Sequence, residues 1–371
     1  MTKRKGHRPS AVIAGRLVEF RRRMKGCRAD GFLLSNDVDY FYLTGFTGNE
    51  SAVIVTRRDV HILSDGRFTE EIKHEVPWAK AWLRKGMLND EIVRACRELK
   101  IKKLAVQAGH FTVGDHAELK KRNKSTKLIL APPALSGMRK IKTPTDLSAM
   151  NKAMRIAEEA FVATCKTIRV GQTELQMAAR LEYEMKTRGA QAPAFPTICA
   201  EGANAAVPHA RPGVRKVKKG SAILFDWGAR CGGYCSDLTR MAFAGRIPPK
   251  IAEIYGIVLD AQLAGIAAVR PGRRMCDVDA VARKIITDAG YGAEFTHGLG
   301  HGLGLDVHEP PSLSWRSKEE LEAGMVVTVE PGIYLPGVGG VRIEDDVLVT
   351  RTGRRVLTKL GKTLNEAIVS V

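Results

Sequence analysis

The chain has 371 residues, with 59 Lys and Arg against 40 Asp and Glu and a net charge of +19. That length exceeds one typical core, so two domains are expected, and apolar and charged shares of 44% and 27% exclude a disordered or collagen-like chain. No run approaches the roughly 18 apolar residues that a membrane-spanning helix needs, and the basic start MTKRKGHRPS has no apolar stretch behind it to make a secretory signal.

Residues 11–145 alternate helical and strand patterns. Arg16–Met24 reads as a basic amphipathic helix, Gly31–Ser35 as a short apolar strand, and Ala52–Thr56 and Val60–Leu63 as a hairpin across Arg57–Asp59. Phe68–His74, Leu88–Leu99 and Asp115–Lys121 read as helices, with strands at Lys103–Val106 and Lys127–Leu130. The expectation is a small α/β domain with a mostly parallel sheet. It carries most of the charge surplus: residues 1–145 hold 30 basic against 15 acidic residues, and the remainder 29 against 25. The basic clusters lack the interleaved aromatics that stack on bases, so solvated charge is favoured over a nucleic-acid partner.

Ala131–Thr145 holds three prolines and a glycine without periodicity, and reads as a linker. The domain boundary is placed there, giving domains 1–140 and 141–371. Beyond it come two helix pairs: 146–168 with Thr173–Arg188, and Lys250–Val269 with Asp277–Ala289. Each pair is followed by a glycine-punctuated, strand-rich region, which amounts to a weak internal duplication of element order. Seven scattered cysteines without a CxxC pair fit free thiols in a reducing compartment, and the cytoplasm is the expected location.

Each strand-rich region contains a hairpin with an acid on each arm. In the first, AILFDWGARCGGYCSDLTR, Asp226 and Asp237 flank a turn at Cys231–Gly233 and are expected to face one another across the ladder. In the second, VVTVEPGIYLPGVGGVRIEDDVLVT, Glu330 and Glu344 flank the turn at Pro336–Gly340. Between them lies HGLGHGLGLDVHE, with three of the chain's nine histidines: His297, His301 and His308. Its four glycines, each costing a helix interior about 1 kcal/mol relative to Ala, argue for extended backbone that a ligand or another strand approaches closely, leaving room for a peptide.

Four carboxylates converging with a histidine would repel one another without counter-charge. Two divalent cations offset them one for one, and an oxygen-rich donor set with one imidazole suits Mn²⁺, Co²⁺, Zn²⁺ or Fe²⁺. Paired ions of this kind can activate water and polarise a carbonyl.

At this point the residues resemble a known family. FPTI at Phe195–Ile198, VPHARP at Val207–Pro212, the segment ending SDLTR at Arg240, HGLGHGLGLDVHE, TVEPGIY and GGVRIEDD are similar to the motifs of metallopeptidase family M24, in its prolidase and Xaa-Pro aminopeptidase group. The resemblance implies a creatinase-like first domain followed by a pseudo-symmetric pita-bread catalytic domain. It implies Asp226, Asp237, His301, Glu330 and Glu344 as ligands of two metal ions, manganese foremost, with Glu330 also moving the proton. His209, His297 and His308 would line the substrate site, His297 and His308 as groups that hold the scissile carbonyl or its oxyanion, and Arg342 would support the ligands or contact a carboxylate. Short peptides with proline second are the implied substrates, and a homodimer the implied assembly. A broader aminopeptidase and a non-catalytic peptide- or nucleic-acid-binding protein on the same scaffold are the alternatives.

Overall fold

The apolar runs of the first part pair into a six-stranded sheet, ordered Lys80–Leu83, Val60–Ser64, Ala52–Thr56, Gly31–Leu34, Lys103–Gln107 and Lys127–Ala131. The computed structural model describes residues 8–132 and 134–371, and the chain divides into two units, Met1–Met138 and Arg139–Val371. The sheet is mixed. The expected hairpin makes its centre antiparallel, and parallel pairings lie only on either flank. Two elements escaped the sequence reading: the strand Lys80–Leu83 and the helix Asp37–Thr44, which Asn36 caps by accepting from the Asp39 N–H at 2.9 Å. Leu33, Ile54, Leu63, Ile92, Leu104 and Val106 form the core between strands and helix Leu88–Glu98.

The expected linker is partly structured, with a helix at Ala134–Arg139. Proline and glycine content misled here, because buried charges hold the segment in place as described below.

In the second unit the duplicated order holds. Helices Pro144–Cys165 and Glu174–Thr187 both start from threonine capping boxes, at Thr143 and Thr173. They cover the strands Ala222–Trp227 and Leu238–Ala244, and Phe161 stacks on Trp227 with ring centroids 4.4 Å apart. The second pair, Pro249–Ala268 and Met275–Asp288, packs with the strands that follow it around Ile254, Val258, Val278, Val327 and Val347. Contrary to the expectation of no membrane-length apolar segment, helix Pro249–Ala268 is long and apolar enough to cross a membrane. It is nonetheless a core helix, since Ile251, Ile254, Tyr255, Val258 and Ile266 pack inside the unit.

Candidate active site

The first hairpin pairs antiparallel, but its two acids are not opposite each other. Thr239 is the partner of Asp226, and Leu238 that of Trp227. Asp237 lies two positions before Thr239, so it meets Asp226 on the diagonal of the same face. The sequence reading of a directly opposed pair is therefore corrected by two residues. In the second hairpin Val329 pairs with Asp345 and Gly332 with Arg342. One continuous register thus places Glu330 opposite Glu344, as the spacing predicts.

The histidine run arrives between these hairpins as strand Gly300–Gly302, held between Glu309–Leu313 on one side and Val326–Val329 on the other. Its glycines serve neighbouring backbone more than ligand. A side chain at Gly300 would run into the carbonyl of Thr328, and one at Gly302 would come within 2.5 Å of the carbonyl oxygens of Glu309 and Pro310. The expectation of room for a peptide gives way to close strand packing.

Asp237, His301 and Glu344 bring donor atoms within 4.8 Å of one another. His301 Nε2 lies 3.2 Å from Glu330 Oε1 and 3.6 Å from Asp237 Oδ2. The other ring nitrogen, Nδ1, faces the Gly302 carbonyl at 3.1 Å and must donate to it, which leaves Nε2 as the ligating atom. The imidazole alone cannot balance four acids. Burial, with the charges of Glu344, Asp226 and Glu330, pushes Asp237 well above the carboxylate range, and burial with neighbouring charge does the same to Glu344. Burial raises Asp226 too, against the opposing charge of Arg342. Glu330 goes the other way: burial would raise it, but the hydrogen bond and charge of His301 hold it at about 2. Asp226 Oδ1 and Glu344 Oε1 are buried without any hydrogen-bond partner. Orphaned carboxylate oxygens beside an imidazole nitrogen that faces two acids are the donor set of a divalent-metal site, so the residues present fit one.

Four of the five expected ligands, all but Asp237, have an orienting neighbour. Thr239 donates to Glu344 Oε2 at 2.7 Å and accepts from Arg342 Nε at 3.0 Å. Thr328 donates to Glu330 Oε1 at 3.1 Å and accepts the His301 N–H at 3.0 Å. Arg342 is buried, donating through Nη2 to Asp226 Oδ2 at 2.5 Å and through Nη1 to Tyr334 at 2.7 Å. These bonds place it as a support for Asp226. Thr239, Thr328 and Tyr334 escaped the sequence reading, although the motifs DLTR and TVEPGIY contain them.

The acids open into a cavity of about 430 Å³ whose walls include Phe195, His209, His297, Val307, His308 and Trp315. A larger cavity, about 680 Å³, lies against the C-terminal strand Ile368–Val369 and contains none of these acids. The three wall histidines differ in availability. His297 donates from Nδ1 to the Gly298 carbonyl at 2.9 Å and receives the Tyr334 hydroxyl at Nε2 at 2.8 Å, so both its nitrogens are engaged. Its backbone is clamped as well: Arg283 donates to the His297 and Phe295 carbonyls at 2.7 and 2.9 Å, and Asp279 accepts the Leu299 N–H at 3.0 Å. Of the two histidines expected to hold a carbonyl, His308 is the one left to do so. It is exposed at the cavity, with its ring 4.3 Å from that of His301. His209 is also exposed on that wall.

Comparison with known proteins agrees with this architecture. Residues 148–351 match the profile of metallopeptidase family M24, and residues 16–141 that of the creatinase/prolidase N-terminal domain. An Xaa-Pro dipeptidase of Pyrococcus horikoshii is 35% identical over 90% of this chain and 94% of its own. The structure of an Xaa-Pro dipeptidase from Bacillus anthracis superposes with a TM-score of 0.91 at 35% identity, covering 96% of this chain and all of that one. That of an X-Pro aminopeptidase from Thermotoga maritima gives 0.87 at 34% identity, covering 94% and 100%. With a catalytic-domain profile spanning over half its length and relatives alike across nearly all of it, the chain belongs to metallopeptidase family M24, in its two-domain pita-bread form.

Proposed function

We propose that this protein is an exopeptidase that uses two divalent ions, manganese foremost, to hydrolyse Xaa-Pro bonds in short peptides. The observation that carries the reading is the convergence of four carboxylates and one imidazole nitrogen on a cavity of about 430 Å³. Asp226, Asp237, His301, Glu330 and Glu344 would hold the ions, which when bound supply charge balance and Lewis acidity. The native metal follows from the oxygen-rich donor set together with availability.

The chain's own groups then divide the remaining work. Thr328 occupies Oε1 of Glu330, leaving Oε2 to take the proton from the attacking water and deliver it to the departing nitrogen. In an Xaa-Pro bond that nitrogen is tertiary and carries no N–H, so it leaves as the secondary amine of proline once Glu330 has protonated it. His308 holds the scissile carbonyl oxygen as it gains charge. Phe195, Val307 and Trp315 give the cavity apolar wall against which a proline ring can pack.

Hydrolysis of Ala-Pro, Ala-Pro-Ala and Ala-Ala by the manganese-loaded protein tests the reading. Cleavage of the proline substrates with little of Ala-Ala is expected. Preferential cleavage of Ala-Ala would replace it with a broader aminopeptidase.

A further inference from the structure

Arg139 and Lys142 lie in the stretch whose composition reads as a connector, yet their side chains are only 6% and 2% exposed. Both end on one carboxylate. Arg139 Nη2 donates to Glu309 Oε2 at 2.5 Å and to Asp306 Oδ2 at 2.5 Å, and Lys142 Nζ donates to Glu309 Oε1 at 2.8 Å. Glu309 is itself 4% exposed, with one cation on each oxygen. Such a cluster adds little to stability, because well-packed apolar residues of similar volume often do as well. Its value has to lie in what it holds.

Glu309 follows His308 directly and begins the strand beside the metal-binding histidine. The register slips at that point: His301 pairs with Ser312, but Gly302 pairs with Glu309. The slip leaves Pro310 and Pro311 out of the ladder and sets Glu309 opposite Gly302, so that His308 stands immediately before a fixed strand end. The near end of the same loop is tied to the first hairpin, where Cys235 N–H donates to the Gly304 carbonyl at 2.8 Å and Arg230 to that of Leu305 at 3.1 Å. A side chain at Gly304 would strike the Glu309 carboxylate, so the two ends of the loop close on each other. The result is the His308 ring on the His301 ring, facing the cavity.

We propose that Arg139, Lys142 and Glu309 form a positioning device for His308, fixing the strand end from which its ring is aimed at the substrate's carbonyl. This rests on the carbonyl-holding role given to His308 above. A double-mutant cycle on the full-length, metal-loaded protein tests it. Glu309→Gln is expected to lower kcat/KM for Ala-Pro on the order of 10- to 100-fold, with metal content unchanged and the protein folded at the assay temperature. In a His308→Ala background the same substitution should cost less than about 2-fold, because the residue it acts through is gone. Losses that multiply across the two backgrounds would overturn the proposal, as would a Glu309→Gln or His308→Ala enzyme of full activity. Should Glu309→Gln fail to fold, Lys142→Met, which keeps the Arg139 pair, goes through the same cycle with the same readings. A wild-type protein unable to cleave Ala-Pro would instead fault the functional reading.

Discussion

Thr239 and Glu344 come from hairpins 105 residues apart, and the threonine hydroxyl donates to the glutamate at 2.7 Å. Thr239 also pairs in register with Asp226 and accepts from Arg342. One hydroxyl therefore links an acid-bearing strand of the first repeat to one of the second. Thr239→Val keeps the shape and removes the donor. It should weaken metal binding on the order of 10- to 100-fold while leaving the protein folded, as read by titration of the stripped protein with Mn²⁺. Unaltered affinity would mean that the link does not orient Glu344.

Tyr334 relays between Arg342 and His297, accepting from the first at 2.7 Å and donating to the second at 2.8 Å. Tyr334→Phe leaves His297 Nε2 without its donor and frees the ring. Turnover of Ala-Pro should fall roughly 10-fold, the scale of a lost supporting hydrogen bond at such a site. Metal stoichiometry should not change, because neither Tyr334 nor His297 is among the proposed ligands. Loss of metal in this variant would show that the relay supports Asp226 through Arg342 instead.

Glu330→Gln separates binding from proton transfer. The amide keeps the shape and one oxygen, so most of the metal should remain while turnover falls by at least about 100-fold, the lower end of what a positioned acid–base group contributes. Asp237→Asn should act on occupancy first, lowering the metal bound per chain. Elemental analysis alongside turnover distinguishes the two. An active Glu330→Gln enzyme would remove the proton from that residue's account.

The buried acids make stability depend on pH in a sign opposite to the usual carboxylate case. Asp226, Asp237, Glu344 and Asp346 all have pKa values raised by burial. The folded, metal-free chain therefore binds more protons than the unfolded one above the ordinary carboxylate range, and its stability falls as pH rises through that window. Chelator-treated protein should lose melting temperature as pH rises above the ordinary carboxylate range, about 4. Saturating Mn²⁺ should flatten that slope and raise the melting point at neutral pH; a hundredfold excess over Kd is worth about 2.7 kcal/mol. Parallel melting curves with and without metal would mean that the acids do not hold it.

Local pattern made much of this legible. The helices of the second unit show helical periodicity, the first two behind capping threonines, and the acids on both hairpins stand out against apolar strands. Pairwise geometry was less accessible. Equal spacing about a turn predicts facing acids, and it is right for Glu330 and Glu344, whose register runs unbroken across the turn. It is wrong for Asp226, which faces Thr239, because the turn at Gly232–Gly233 centres the ladder elsewhere. Arg139 and Lys142 were invisible as anything but linker charge, since their partner Glu309 lies 170 and 167 residues on. Nor does sequence tell an engaged histidine from a free one. His297 and His308 belong to the same motif, and only the carbonyl and hydroxyl around His297 set it apart.

The central claim is that these acids hold two catalytic metal ions. Metal content by elemental analysis and Ala-Pro turnover, measured on one preparation before chelation, after it and after manganese is restored, tests it most directly. Two divalent ions per chain, with turnover lost and regained alongside them, is the result expected. Undiminished turnover in the stripped protein, or none in a folded protein carrying both ions, would contradict it.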